Sequence, residues 1–375
     1  MIRASKNLSF TSSLNEALEK FRAESKRLHR LGNYYEGRHD ILTRTRRGNL
    51  PNARLPHGFP KYIAEVSAGF MLSEEPKYRG NCDKQALKNL LEFQEKCSDP
   101  ALNMSLAVAQ SVYGLGLSLC FYTDRLHTVP LDPRSAFMVF DDTAEQKPVF
   151  GVLLSKNKMR VYTDEHVYVF DGADSKKIKA RKLHGFENLP MVLYPNGTSM
   201  QGDFEHVLPL IDAYDLLASD RINDRAQFAD AMLVLTGIMG LSEEEGDIAG
   251  KLRQERTLTL PDSDAKAEWL IKNANEKDVE VLRKSIADDI HKFSMTPEME
   301  ITNAFGSSSG VALQHKLFCL RRRTAIKERF FIKGLKERLP LLCEALKKEG
   351  KVAPNPEDIE IYFPERRMGE GLKIN

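Results

Sequence analysis

Three carboxylates, Asp141, Asp142 and Glu145, lie in one short stretch of the chain. Such a cluster could hold two divalent cations for phosphodiester cleavage. The same stretch also reads as a polar turn between strands, and that reading is the simpler one. No GxxxxGK[ST] loop is present to cradle a nucleotide, and Gly114 and Gly116 do not continue into GxGxxG. There is no HExxH, and the nine histidines never fall at metal-ligand spacing. Single serines and cysteines lack a local triad context, although triads assemble in space. No catalytic motif stands out, and no cofactor is expected.

Charge is more informative. The total is nearly balanced, at +2 over 375 residues, but it is segregated. Residues 203–309 hold 22 acidic and 11 basic side chains, a net of −11. Residues 316–338 hold nine basic residues against Glu328 and Glu337, and residues 38–61 hold six against Asp40. A solvated helix face explains any one run; the regional alternation asks for more. The length allows two or three domains. No apolar run is long enough to span a membrane, and the N-terminus has no signal-peptide core. Five scattered cysteines without CxxC spacing suit a reducing compartment and read as buried free thiols.

The elements that position these groups follow from periodicity. Ser13 and Glu16 have capping-box spacing ahead of the Leu14, Leu18, Phe21, Leu28, Leu31 stripe, with Gly32 as a stop. Pro60 opens a second helix, and Asp83 and Asp99 are expected N-caps of two more. Residues 115–195 alternate in short runs punctuated by Gly, Asp and Asn, which predicts antiparallel sheet with hairpins. A long helix is expected over residues 203–235, with Pro209 kinking it or marking its true start. Strands are expected near residues 256–260 and 268–271. A second amphipathic helix, about residues 275–293, carries Val279, Leu282, Ile286, Ile290 and Phe293 on one face. Residues 294–310 read as a helix-free Gly/Ser loop. A third long helix should run from Val311 to about Glu337, with only a kinked continuation past Pro340. A last strand is expected at residues 359–363. The fold class is therefore α+β.

Several local patterns resemble the portal proteins of tailed bacteriophages, in particular those of siphophages of Gram-positive hosts. They are Tyr34-Tyr35-Glu36-Gly37; Leu55-Pro56-His57-Gly58-Phe59-Pro60-Lys61-Tyr62-Ile63, with Glu75-Pro76-Lys77-Tyr78 after it; Ser219-Asp220-Arg221-Ile222-Asn223-Asp224; and Phe305-Gly306-Ser307-Ser308-Ser309-Gly310. Each is weak alone; their order and spacing over residues 34–363 are specific. The loop departs from the family pattern, which carries Gly-Asn at Ser307-Ser308. The chain also ends at Asn375, where family members continue into a helical crown, so a short or absent crown is expected.

The resemblance implies a ring of about twelve subunits forming a channel for double-stranded DNA at one capsid vertex of the virion, assembled in the bacterial host cytoplasm. Its partners would be terminase, the major capsid and scaffolding proteins and a head-completion or adaptor protein, with no membrane and no enzymatic activity. It implies a wing over residues 1–202, a wing-to-stem helix over 203–235, a clip over 236–273, a stem helix over 274–293, a tunnel loop over 294–310, and a long helix returning to the wing over 311–375. Glu280, Lys284, Asp288 and His291 would face the channel. Thr296, Ile301, Asn303, Phe305, Gly306, Ser307, Ser308, Ser309 and Gly310 would form the tunnel loop. Arg253, Arg256, Asp262, Asp264 and Trp269 would form the docking tip, although Trp269 could equally be core and the arginines could pair with acidic neighbours. Arg321, Arg322 and Arg323 could touch phosphate, or belong to a solvated or inter-subunit face. The alternatives are a metal-dependent nucleic-acid-processing phage enzyme built on Asp141, Asp142 and Glu145, and a capsid-associated protein-binding adaptor.

Overall fold

The structure, a computed structural model, describes residues 2–4, 10–46, 50–97, 99–172, 178–228, 232–236, 266–270, 276–298 and 317–364. The fold is mixed α and β. It divides into two compact units: residues 1–39, 57–211 and 288–375 form the first, and residues 40–56 and 212–287 the second.

In the first unit, strand β1 (Ile2–Ala4) precedes helix α1 (Phe10–Tyr35). The helix begins a turn before the expected Ser13 cap. Ser13 is buried within it, and the Phe10 ring packs on Phe150 and Tyr168, with centroids 5.8 and 5.2 Å away, which draws the extra turn into the core. The expected stop at Gly32 is an interior position. A Cβ there would sit 3.0 Å from the Tyr113 hydroxyl, so glycine serves close packing. The true stop is Gly37, at φ +79, which only glycine adopts cheaply.

Helices α2 (Phe59–Met71), α3 (Lys84–Lys96) and α4 (Asp99–Tyr113) follow, with β2 (Lys77–Gly80) between α2 and α3. Pro60 lies in the first turn of α2, and the Asp83 side chain caps α3 by accepting from the Gln85 N–H at 3.2 Å. Asp99 is not a free cap: it is the first residue of α4 and is buried.

Two sheets come next. One has the order β1-β5-β6-β7-β8-β9, from β5 (Ala136–Asp141), β6 (Pro148–Ser155), β7 (Lys158–Tyr162), β8 (His166–Asp171) and β9 (Ile178–Leu183). The other has the order β10-β3-β4, from β3 (Leu115–Tyr122), β4 (Leu126–Leu131) and β10 (Met191–Pro195). All pairs are antiparallel, as the hairpin reading expects, except β1 on β5, which is parallel.

The unit is completed by helix α7 (Phe318–Lys348) and β13 (Ile359–Tyr362), which pairs with β2. Helix α7 continues as one element through Pro340. Leu339, Leu341, Leu342, Ala345 and Leu346 are all buried around the proline. Burial at about 1.5–3 kcal/mol per leucine outweighs the roughly 3 kcal/mol that an interior proline costs. Gly334 lets α7 lie against β10: a Cβ there would be 2.3 Å from the Tyr194 ring.

The second unit contains the greater part of helix α5 (Leu208–Phe228) and of α6 (Glu276–Phe293), with β11 (Met232–Thr236) and β12 (Lys266–Leu270) paired antiparallel. Pro209 marks the start of α5, and residues 205–207 before it are a 3-10 turn. The expected helix over 203–235 is shorter than that. Residues 232–236, Met-Leu-Val-Leu-Thr, are a strand with Leu233 opposite Trp269. A short apolar run cannot be assigned to helix or strand by periodicity, and pairing decides it here.

Candidate functional site

Two polar constellations organise the long helices, one in each unit. The first begins with Asp203, which follows Gly202 at a point too tight for any Cβ: one would lie 2.4 Å from the Val112 carbonyl oxygen. The Asp203 carboxylate is buried and receives Lys327 Nζ at 2.7 Å, Arg323 Nη2 at 2.7 Å and Asn196 Nδ2 at 2.8 Å. The Lys327 ammonium, also buried, donates in addition to Ser111 Oγ at 2.5 Å and Ser67 Oγ at 3.0 Å, so its three protons all have acceptors. Burial alone would push the Asp203 carboxyl up; Lys327 and Arg323 outweigh it and hold the group well below the usual carboxylate range.

Arg323 reaches further. It donates to the Asp203 carbonyl oxygen at 2.8 Å and to the carbonyl oxygen of Ser294, just past the end of α6. His206 Nε2 bonds the Phe293 carbonyl oxygen at 2.9 Å. The end of α6 is itself closed by two crossed bonds, Thr296 N–H to His291 O at 3.1 Å and Met295 N–H to Lys292 O at 3.2 Å. This is the Schellman arrangement, with Met295 at φ +56 where glycine is usual. The fixed point thus joins α2, α4, α7 and both ends of the chain's excursion through the second unit. A second buried pair holds α7 lower down: Arg338 Nη2 donates to Asp99 Oδ2 at 2.9 Å and Asn103 Oδ1 at 3.0 Å. With one cation instead of two, burial prevails at Asp99 and its carboxyl is raised.

The second constellation lies between α5 and α6 within the second unit. Glu280 receives Arg221 Nη1 at 2.6 Å and Arg283 Nη2 at 2.5 Å, and Arg283 Nη1 donates to the Tyr214 hydroxyl at 2.5 Å. Hydrogen bonds from Arg283 and then Arg221 pull the Glu280 carboxyl down to about 2. Segment 40–56 is tied to the same α5. Arg44 pairs with Asp220 at 2.7 Å, Arg46 also meets Asp220, the Leu55 N–H donates to Ser219 Oγ at 3.0 Å, and the Ala53 N–H donates to Asn223 Oδ1 at 2.5 Å. Ser219, Asp220, Arg221 and Asn223 of the Ser219–Asp224 motif therefore each have a structural partner, and part of the basic run over 38–61 meets part of the acidic middle.

The sequence-predicted residues fall unevenly on this framework. Lys284 and Asp288 are exposed. Glu280 is half-exposed but engaged by two arginines. His291 is half-buried, with its ring edge-on to Phe59 and Tyr62 at 5.7 and 5.8 Å and Nδ1 on the Thr296 carbonyl oxygen at 3.0 Å. Thr296 is fully buried in the helix-end turn, so its side chain belongs to the cap and not to an open loop. Arg323 is committed to Asp203 and Ser294. Arg322 is exposed and lies over the Phe318 ring at 5.0 Å, and Arg321 is half-buried. Trp269 is placed only by its register in β12. Ile301, Asn303, Phe305, Gly306, Ser307, Ser308, Ser309 and Gly310 lie outside the described residues, as do Arg253, Arg256, Asp262 and Asp264.

Asp141 is a buried turn-former: its carboxylate accepts from Thr143 Oγ1 at 2.7 Å and the Lys147 N–H at 3.0 Å. Glu145 pairs with Lys147 at 2.6 Å. No group of three or more potential metal ligands comes together among the described residues. None of the cysteines is in a disulfide; Cys120 and Cys343 are buried as expected, whereas Cys319 is exposed. The Asp203 and Asp99 networks were not singled out from sequence. Their only trace is charge in otherwise apolar helical stripes, with Lys327 and Arg338 both on α7.

The first unit thus holds a long helix pinned by buried ion pairs, and the second holds parts of two helices and a strand pair. The family model described as phage portal protein, SPP1 Gp6-like, matches residues 15–369. The chain belongs to that family of portal proteins. Among curated relatives it is similar to the portal protein of Bacillus phage SPP1, with 23% identity over 237 residues. The match covers 58% of this chain and 46% of that relative, so it extends over about half of the relative's length.

Proposed function

We propose that this chain is the repeating subunit of a ring that forms the channel for double-stranded DNA at one vertex of a phage capsid. Family membership supports it, and the surface of the helices carries it furthest. Leu216 and Ile222 on α5 are 44% and 47% exposed, and Val281, Leu282 and Phe293 on α6 are 69%, 51% and 50% exposed. Helices that leave this much apolar surface open ask for neighbours, and identical head-to-tail neighbours close into a ring. No helix among the described residues is long and apolar enough to cross a membrane.

In this reading the first unit serves as wing, α5 and α6 as stem, residues 236–273 as clip and residues 294–310 as tunnel loop. The acidic middle keeps phosphate contacts sparse, so that the duplex slides instead of being gripped through counterion release. Terminase docks on the clip and supplies the ATP-driven work. Capsid, scaffolding and head-completion proteins meet the remaining surfaces in the virion, after assembly in the host cytoplasm.

The test is a packaging assay with Asp288→Lys and Asp289→Lys together. Each subunit changes by +4, and a ring of about twelve gains about 48 positive charges. Packaging should slow at low salt and partly recover as salt rises. Unchanged packaging at every salt concentration would remove these side chains from the DNA path. Deleting residues 301–307 should leave rings intact and lower the DNA content per particle; normally filled, stable heads would make that segment a linker.

A further inference from the structure

Strand β9 is a terminal strand of the six-stranded sheet, with no strand on its outer side among the described residues. The opposite edge is different: there β1 adds to β5. The sequence of β9, Ile-Lys-Ala-Arg-Lys-Leu, has three basic residues and no acidic one. Its side chains are open, with Leu183 73% and Ile178 50% exposed.

The ladder shows which backbone groups face outward. Leu183 is opposite His166, Lys182 opposite Val167, Arg181 opposite Tyr168 and Ala180 opposite Val169. The His184 N–H donates to the Glu165 carbonyl oxygen at 3.2 Å, which makes that pair a hydrogen-bonded one. Antiparallel pairs alternate. Lys182 and Ala180 therefore bond inward to β8, and the N–H and C=O of Arg181 and Leu183 point away from the sheet. Arg181 also lies over the Tyr168 ring at 5.7 Å, which holds the strand extended.

We propose that the β9 edge is a docking site for an extended acidic segment of a partner protein, which adds as a further strand. Outward N–H and C=O groups at Arg181 and Leu183 supply main-chain bonds. Lys182 and Arg181 supply charge complementarity to glutamates or aspartates at cross-strand positions, and Leu183 and Ile178 take alternate apolar side chains. The same charges argue against a second copy on this edge, because two basic strands would lie side by side. Lysine on an edge is a known guard against indiscriminate pairing; a guard of one sign excludes like strands and admits the opposite sign. The site lies within the first unit and uses none of the residues assigned to clip, stem or loop.

The probe is a fluorescein-labelled peptide of about eight residues alternating Glu with Val and Thr, titrated by anisotropy into the full chain. Its Lys-for-Glu counterpart and a version N-methylated along one edge serve as comparisons. The acidic peptide should bind, with the basic one weaker by about tenfold or more and the N-methylated one lost. Leu183→Pro removes an outward N–H without breaking the ladder to β8, and should abolish binding. Lys182→Glu should weaken it about tenfold. N-methylation leaves the protein untouched, so misfolding cannot mimic the result. Equal binding of acidic and basic peptides, indifference to N-methylation, or no binding at all would overturn the proposal. Self-association that Leu183→Pro abolishes would also overturn it, assigning the edge to a second copy.

Discussion

The Asp203 network and the Glu280 cluster both use one carboxylate between two cations, yet the surroundings make them different devices. Asp203 and Lys327 are buried, and Arg323 nearly so. Their charges have no water to fall back on, so the network is intolerant of losing a member. Glu280, Arg221 and Arg283 keep a third to nearly half of their side-chain surface exposed. Solvent screens them, and the pairs set direction more than stability. The first unit is thus internally locked, whereas the helix pair of the second unit has mild internal polar contacts and open apolar flanks. A subunit built that way carries a finished body and an unfinished surface.

This contrast can be broken most forcefully at Asp203. Asp203→Ala leaves Lys327 and Arg323 buried without a counter-charge and should cost about 3–5 kcal/mol in denaturant unfolding. Adding Lys327→Met should return part of that loss, since an apolar replacement of both partners removes the desolvation burden. The pH dependence has a definite sign. The folded Asp203 carboxyl is depressed, so its stabilisation is complete above its unfolded value near 3.9 and is lost as pH falls below about 4. Wild-type acid unfolding should be steeper than that of Asp203→Asn between about pH 4 and pH 2. Parallel curves would mean that the carboxylate is not held ionised.

A smaller loss is expected at the second buried pair. Arg338→Met strands Asp99, but burial already raises that carboxyl, and it can neutralise by taking a proton. The cost should be about 2 kcal/mol at neutral pH and should shrink as pH falls through the raised folded value. A penalty independent of pH would contradict this.

Smaller again, and opposite in sign, is Met295→Gly. Methionine holds φ +56 in the turn that ends α6, and relief of that conformation should stabilise by about 1 kcal/mol. A destabilisation would show that the Met295 side chain contributes more than its backbone costs. At the bottom of the scale, Glu280→Gln should leave the melting curve of the isolated subunit essentially unchanged. A loss comparable to that of Asp203→Ala would erase the distinction between the two regions.

Much of this architecture was legible from the chain. The α6 stripe, the Asp83 cap, the Pro60 start and the hairpins after Leu115 follow from local patterns that tertiary structure did not override. The misses share a cause. The apolar run at Met232 carries no period that separates strand from helix, and its pairing partners are 30 to 38 residues away. Helix α7 was expected to run to about Glu337 with a kinked continuation past Pro340; it runs on to Lys348, with leucines buried around the proline. Asp99 had the right type for a cap but was drawn inward by Arg338, a residue distant in sequence. The site residues divide the same way. Lys284 and Asp288 are exposed because the helical face dictates it. Arg323 reads as one of three equivalent arginines, and only the fold shows that it serves Asp203 and the Ser294 carbonyl.

In the proposed ring, the exposed apolar flanks of α5 and α6 close against copies of themselves. Native mass spectrometry of the full chain, with electron microscopy of the same sample, measures this directly. A closed ring of about twelve subunits, or one more or fewer, is expected, with a central hole that admits a duplex. Leu282→Asp should shift the species to monomer while leaving the subunit's own unfolding curve in place. A wild-type chain that stays strictly monomeric at high concentration and moderate salt would contradict it.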